Sequence, residues 1–405
     1  MGEFRFFSAG ESHGPGLTAH VEGLPAGLEI SETYIRQDLA RRQKGYGRGR
    51  RQQIETDYAK ITSGVRHGLT IGGPVSMFIE NRDFSTGKGP DGVLWTDEMS
   101  IEPSDVPYEK ITKLRPGHAD TPGIVKYSQD DARNILERSS ARESAARVAA
   151  GALARTFLKQ FDIEVFSHVS ALGDVESHAD INEIDWSAVE SSQLRCADSE
   201  AETKMIQEID SAKEEGDSLG GVFEIIAYNL PIGLGSHTQW DKKLSSRLAG
   251  SVMSINAVKG VEFGAGFKQA RMRGSAVHDV IRPIQEWSND GKTKFNRPWP
   301  RRSNNSGGLE GGMTTGEPLI VRAMVKPIAT IMNALETVDL RTGEKVEKAH
   351  YERSDITFVP TCAVIGESMV MMVIADAILE KFGGDHINET RTNLANYLES
   401  AGPRG

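Results

Sequence analysis

The chain has 405 residues with a formal net charge of -10 and an unexceptional globular composition. That length allows a large buried core, and the acidic balance argues against a dedicated nucleic-acid or membrane-surface binder, so any concentrated basic stretch becomes informative. Cys196 and Cys362 are the only cysteines, too few for a disulfide framework or a structural zinc site, which makes a reducing compartment the expectation. The N-terminus has no apolar signal region, and the longest apolar run, Met369 to Leu379, is short and contains Asp376. It is not expected to span a bilayer. The reading is a soluble cytoplasmic protein.

In chain order, Phe4 to Ser8 reads as a strand running into Gly10-Glu11-Ser12-His13-Gly14-Pro15-Gly16, a tight turn that carries a histidine able to exchange a proton near neutral pH. Gly14 to Ala19 fits a loose dinucleotide-binding pattern, but no helix follows and the match is discounted. Ser31 caps a helix bearing Ile35 and Leu39, which ends before Gly45. Arg41 to Arg51 is densely basic, free of acids and punctuated by glycines. It is a candidate loop for small anions; a solvated basic loop, or a single-stranded nucleic-acid contact with Tyr46 as stacking platform, are the other readings.

Lys60 to Ser63 and Pro74 to Glu80 read as strands, and the Gly-, Pro- and Asp-rich stretch 82–109 as a long surface loop. Arg115-Pro116-Gly117-His118-Ala119-Asp120 places a second histidine in a glycine-bearing turn beside an arginine. Ser140 and Glu143 form a capping-box pattern that predicts a helix start near Ser140, and the small apolar face from Ala141 to Phe157 predicts a buried helix. Its first turn carries hydroxyls and guanidinium groups at the positive end of the helix dipole, suited to phosphate or carboxylate. A capped core helix with solvated arginines is the plainer alternative.

Farther on, Ile163 to Leu172, Val222 to Tyr228 and Leu319 to Val325 read as strands. Met205, Ile209 and Ala212 mark a helix within an acidic surface segment. Leu244 to Ile255 is an amphipathic helix and 281–303 a polar loop. Asn304 to Met313 is glycine-rich, Val338 to Val346 a hairpin, and Cys362 to Phe382 and Asn388 to Leu398 closing helices. No P-loop fits. One interwoven domain is expected. Arginine-rich turns, a serine-bearing helix start, two turn histidines and a late Arg353-Ser354-Asp355, without a metal cluster or cysteine nucleophile, describe an enzyme that uses acid/base chemistry on a small polyanion.

Gly10 to Gly14, Arg115 to Asp120, Arg138 to Glu143, Asn305 to Gly312, Lys326-Pro327 and Arg353-Ser354-Asp355, taken in order, resemble the chorismate synthase family. The resemblance implies an α+β fold, a β-α-β sandwich with long helices between antiparallel sheets, and a homotetramer. It implies elimination of phosphate from 5-enolpyruvylshikimate 3-phosphate with reduced FMN, the flavin being reduced by NADPH or by an external flavin reductase. By the same resemblance His13, His118 and Asp355 are catalytic. Flavin contacts fall on Arg138, Ser139, Ser140, Asn256, Ala257, Gly311, Lys326, Pro327, Ile328, Ala329, Thr330 and Arg353. Substrate contacts fall on Ser12, Arg42, Arg48, Arg51, Arg115 and Arg142, with Arg42 and Arg48 also offered to a nicotinamide phosphate. Ser354 departs from the histidine often found there, leaving the roles of its neighbours intact.

Overall fold

Two antiparallel sheets enclose a layer of helices. The computed structural model describes residues 4–47, 56–89, 91–287, 298–352 and 355–403. The first sheet comprises β1 (Arg5–Ala9), β2 (Gly16–Glu22), β3 (Ala59–Ser63) and β4 (Val75–Glu80) in the order β1-β2-β4-β3. In β2, Leu17, Ala19 and Val21 are buried while His20 and Glu22 are exposed, and β4 buries Val75, Met77 and Ile79 in the same alternation. Successive side chains point to opposite faces, so one face of this sheet is apolar and must be covered.

The covering element is a small-residue helix. Between the sheets lie α1 (Glu32–Gln43) and α4 (Ser144–Leu158), while α2 (Asp120–Tyr127) and α3 (Arg133–Ser139) pack on each other in a separate, smaller apolar cluster with Ile111 and Leu114. Helix α4 packs on α1 and β2 on one side and on a later helix on the other. The second sheet has β5 (Glu164–Leu172), β6 (Val175–Glu176), β7 (Gly221–Tyr228), β8 (Val258–Phe263) and β9 (Leu319–Val325), ordered β8-β9-β7-β5-β6. Helices α5 (Ser199–Glu215), α6 (Leu244–Met253), α7 (Val359–Phe382) and α8 (Ile387–Ser400) complete the frame.

Helix α7 lies between α4 and strands β5 and β7. Two glycines allow that approach: a Cβ on Gly151 of α4 would stand 2.3 Å from Cβ of Ser368, and one on Gly366 would stand 2.7 Å from the side chains of Phe223 and Ile225. The apolar run in α7 is longer than the sequence reading allowed. The helix has 24 residues and is long and apolar enough to cross a membrane by length and composition, yet most of it is buried within the protein. Interior packing on both sides demands the same composition as lipid does.

Glu367, wholly buried on α7, is the charged centre of this layer. Arg41 and Arg155 donate to its Oε2 at 2.8 and 2.5 Å, and Ser167 donates to Oε1 at 2.6 Å. Burial alone would raise this carboxyl, but the charges of Arg41, Arg155 and Arg195 outweigh it and hold it far below the usual range. Arg41 therefore faces inward, and Tyr46 donates its hydroxyl to Asp210 at 2.9 Å. In the described part of the basic stretch, Arg41 and Arg42 lie on α1 and are held by carboxylates rather than by solvent.

Three further expectations change. Ser140 does cap a helical segment, but without the expected capping box: α3 ends at Ser139, the extended Ser140 caps a 3₁₀ turn over Ala141–Glu143, and α4 begins at Ser144. Glu143 binds Arg147 at 2.7 Å rather than closing a capping box, and the Ser140 hydroxyl accepts the Arg142 N–H. Secondly, 82–109 is not all surface loop, because it contains the short helix Trp95–Glu98 and Trp95 is 4 % exposed. Thirdly, 281–303 carries the short helix Ile284–Trp287, and Ile281 bridges to Arg301.

Candidate active site

The two histidine turns meet at one cavity of about 630 Å³. Strand β1 delivers Ser12 and His13 from its loop, the turn before α2 delivers Arg115 and His118, the α3–α4 break supplies Ser139, Ser140 and Arg142, and α1 supplies Arg42. The rest of the lining is Asn256 and Ala257 after α6, with Lys326, Pro327, Ile328, Ala329 and Thr330 after β9, and Asp355. Arg42, Arg115, Arg142, Lys259 and Lys326 face it against the carboxylates of Glu352 and Asp355. In an acidic chain this is a concentrated positive lining, which attracts and orients an anion.

Each arginine is held by a carboxylate. Asp57 lies between Arg42 and Arg142, with Oδ2 2.7 Å from Arg42 Nη2 and Oδ1 2.5 Å from Arg142 Nη1. Burial would raise Asp57; the two guanidinium charges prevail and lower it. Arg142 also donates from Nε to Asn81 at 2.8 Å. Arg115 makes a two-pronged contact with Asp120, Nε to Oδ2 at 2.9 Å and Nη2 to Oδ1 at 3.0 Å, the planar fork geometry that fixes a guanidinium.

His118 shares that carboxylate, its Nδ1 lying 2.5 Å from Asp120 Oδ1. Asp120 is held far below the usual range: burial pushes it up, and the hydrogen bonds from His118 and Arg115 overcome this. With Nδ1–H donated to Asp120, Nε2 is the ring atom left for proton exchange. His13 is arranged alike. Its Nδ1 is 2.7 Å from Glu137 Oε1 and its backbone N–H donates to Oε2 at 2.7 Å. Trp95 stacks on the His13 ring with centroids 4.0 Å apart.

The break at Ser140 shapes the site. It turns α3 into α4, so Ser140 faces Ser12 (Ser140 Oγ donates to Ser12 Oγ at 3.1 Å), whereas the Ser139 hydroxyl donates to the Ile135 carbonyl at 2.7 Å and Asn256 donates to the Ser139 carbonyl at 3.0 Å. Ala257 has a φ of +69°, and its carbonyl accepts from Lys326 N–H at 2.9 Å. The side chain of Lys326 donates to the Gly117 carbonyl. Its ammonium pKa is lowered, by burial first and then by Lys259.

Two residues expected at the flavin are not in this lining. Arg138 turns to β1, donating to the Ser8 carbonyl at 2.9 Å and to Gly10 at 3.3 Å. Gly311 lies in a hairpin turn between Leu309–Glu310 and Met313–Thr314. Arg48, Arg51, Arg353 and Ser354 lie outside the described residues. The sequence reading assigned no role to Asp57, Asp120, Glu137 or Trp95. The i,i+4 spacing of Arg133 and Glu137 was a visible signal for one of them; Trp95 has no local signal.

The family model for chorismate synthase matches residues 4–379. Chorismate synthase of Geobacter sulfurreducens (strain ATCC 51573 / DSM 12127 / PCA) is 50% identical over 398 residues, covering 98% of each chain. That of Thermobifida fusca (strain YX) is 48% identical over 409 residues, again covering 98% of each. A crystal structure of chorismate synthase aligns with a TM-score of 0.75 at 39% identity, over 98% of each chain. Sequence and architecture thus agree from end to end, on an α+β frame of antiparallel sheets around helices, and the chain belongs to the chorismate synthase family.

Proposed function

We propose that the chain converts 5-enolpyruvylshikimate 3-phosphate to chorismate by anti-1,4-elimination of phosphate and a ring proton, a carbon–oxygen lyase reaction that uses reduced FMN without net oxidation. The observation that carries this reading is His118. It stands on the wall of a cation-lined cavity with Nδ1 tied to Asp120 and Arg115 alongside, the arrangement of a general acid beside a departing oxyanion.

Arg42, Arg115 and Arg142 hold the anionic groups of the substrate, with Ser12 beside them. His118 holds the proton given to the leaving phosphate. His13 holds a proton at the cofactor, and Asp355 assists removal of the ring proton. The cavity fits a cofactor as well, since about 630 Å³ lies within the range of roughly 300–1,000 Å³ usual for small-molecule sites. The Lys326 ammonium is disfavoured there by burial and then by Lys259, and the phosphate of a ligand would offset both. Ser139, Ser140, Asn256, Ala257 and Lys326 to Thr330 would hold the flavin. When bound, reduced FMN supplies the electron-rich ring system that lets an allylic carbon–oxygen bond break with no net redox change.

The test is anaerobic. Purified protein, chemically reduced FMN and 5-enolpyruvylshikimate 3-phosphate are mixed and chorismate is followed by absorbance, each component being omitted in turn. Turnover that needs reduced flavin is expected; no product from folded protein overturns the reading. NADPH with oxidised FMN then distinguishes self-reduction from supply by an external flavin reductase, and light scattering tests the homotetramer.

A further inference from the structure

The His13 ring is gripped from two directions. Trp95 stacks on it at 4.0 Å with the planes 26° apart. Glu137 takes Nδ1 with one oxygen and the His13 backbone N–H with the other, each at 2.7 Å, so one carboxylate fixes both ring and main chain. The Ser12 N–H donates to the Glu137 carbonyl at 3.1 Å, which ties the turn to α3.

Arg133 joins the two grips. Its Nη1 reaches Glu137 Oε1 at 3.2 Å and Glu352 Oε1 at 2.9 Å, its Nε lies 2.9 Å from Glu98 Oε1, and its guanidinium carbon lies 5.1 Å from the centre of the Trp95 ring. The short helix Trp95–Glu98 is thereby anchored at both ends to α3, and the indole contacts both an imidazole and a guanidinium. Burial would raise Glu137, but its bonds to His13 and the charges around it keep it lowered and ionised.

An imidazole on a turn has two rotatable bonds and two tautomers. A stacked indole fixes the plane, and a carboxylate at Nδ1 makes that nitrogen the protonated one in the neutral ring, so that proton exchange is confined to Nε2. We propose that Trp95 and Glu137 are positioning residues that set the plane and tautomer of His13 for the reaction, and that Trp95–Glu98 backs the active-site wall behind His13. This rests on the role proposed for His13.

The experiment compares Glu137→Gln, Trp95→Ala and Trp95→Phe, each alone and combined with His13→Ala. It records anaerobic turnover, FMN affinity, thermal unfolding and the ¹⁵N resonances of the imidazoles, His13→Ala serving to assign the signal. Glu137→Gln and Trp95→Ala are expected to lower kcat by about 10- to 100-fold, the scale of a misplaced catalytic group. The substrate KM changes by less than about twofold, and Trp95→Phe recovers most of the rate. In the His13→Ala background neither change lowers turnover further, because both act through His13. Neutral His13 is expected with its proton on Nδ1 in the wild type and as a tautomer mixture in Glu137→Gln, since an amide presents either oxygen or nitrogen.

Wild-type turnover in both single variants while His13→Ala is impaired overturns the proposal, as does an additional loss on top of His13→Ala. An Nε2–H tautomer in the wild type also overturns it, and that measurement needs no variant to fold. If His13→Ala itself turns over normally, the role given to His13 is what fails, and the positioning role falls with it.

Discussion

Nδ1 of His118 lies 2.5 Å from Oδ1 of Asp120. The aspartate is fully buried, and Arg115 donates to it three times, from Nε and its backbone N–H to Oδ2 and from Nη2 to Oδ1. A buried carboxylate in this place decides which ring nitrogen carries a proton in the neutral histidine.

Asp120→Asn keeps the shape and removes the charge. Loss of a charge-assisted hydrogen bond of about 1.5–3 kcal/mol corresponds to a kcat lower by roughly 10- to 150-fold, with FMN affinity retained. His118→Ala loses most turnover and likewise keeps flavin affinity. Steady-state kinetics and flavin titration check both, and an unchanged kcat in His118→Ala removes that histidine from the mechanism.

Asp57→Asn leaves Arg42 and Arg142 buried together without their shared anion. Removing one partner of a buried ion pair costs about 3–5 kcal/mol. The expected result is a lower urea midpoint at pH 7 with the slope of the transition unchanged, together with weaker substrate binding.

Acid should unfold the protein over a defined window. Glu190 and Glu352 are both lowered to about 2; burial opposes this in each, and hydrogen bonds from Arg41 and Arg195, and from His350, lead the opposing causes. Asp57, Asp120, Glu137 and Glu367 are lowered as well. Unfolded Asp and Glu titrate near 3.9 and 4.3, so the unfolded chain takes up protons first. The stabilisation is complete above that range and is lost as pH falls through the folded values. Urea midpoints should therefore be flat from about pH 7 to 5 and drop steeply below about 4.

Gly151→Ala tests the contact between α4 and α7. The new methyl would meet Ser368 at Cβ, Oγ and Cα within 2.3–2.7 Å, and since a backbone atom is among them, rotation of the serine side chain gives no escape. Overpacking of this kind costs about 1–3 kcal/mol. Thermal unfolding is expected to fall accordingly, whereas Gly250→Ala on α6, where the added carbon meets nothing within 4 Å, should be neutral or slightly stabilising.

Features set by neighbours in the chain were legible in the sequence by itself. Strand-like runs marked Val75–Glu80 and Leu319–Val325, the spacing of small apolar residues exposed Ser144–Leu158, and glycine turns marked His13 and His118, because strand pleat, helical period and positive φ are local properties; the strand Gly16–Glu22 stays hidden behind its glycine pattern. The full-length order of motifs carried the family as well. Tertiary structure decided what those residues meet. That Arg41 faces Glu367 rather than solvent, that Asp57 joins Arg42 to Arg142, and that Trp95 crosses from a polar stretch onto His13 are contacts between residues 15 to 326 positions apart. The break at Ser140 belongs with them: the capping pattern is present in the chain, but Arg147 claims Glu143 and Ser12 meets Ser140 only once the two turns are brought together. A local pattern states which conformations a segment favours, whereas a buried charge is placed by the partner that compensates it, and that partner is found only in the folded protein.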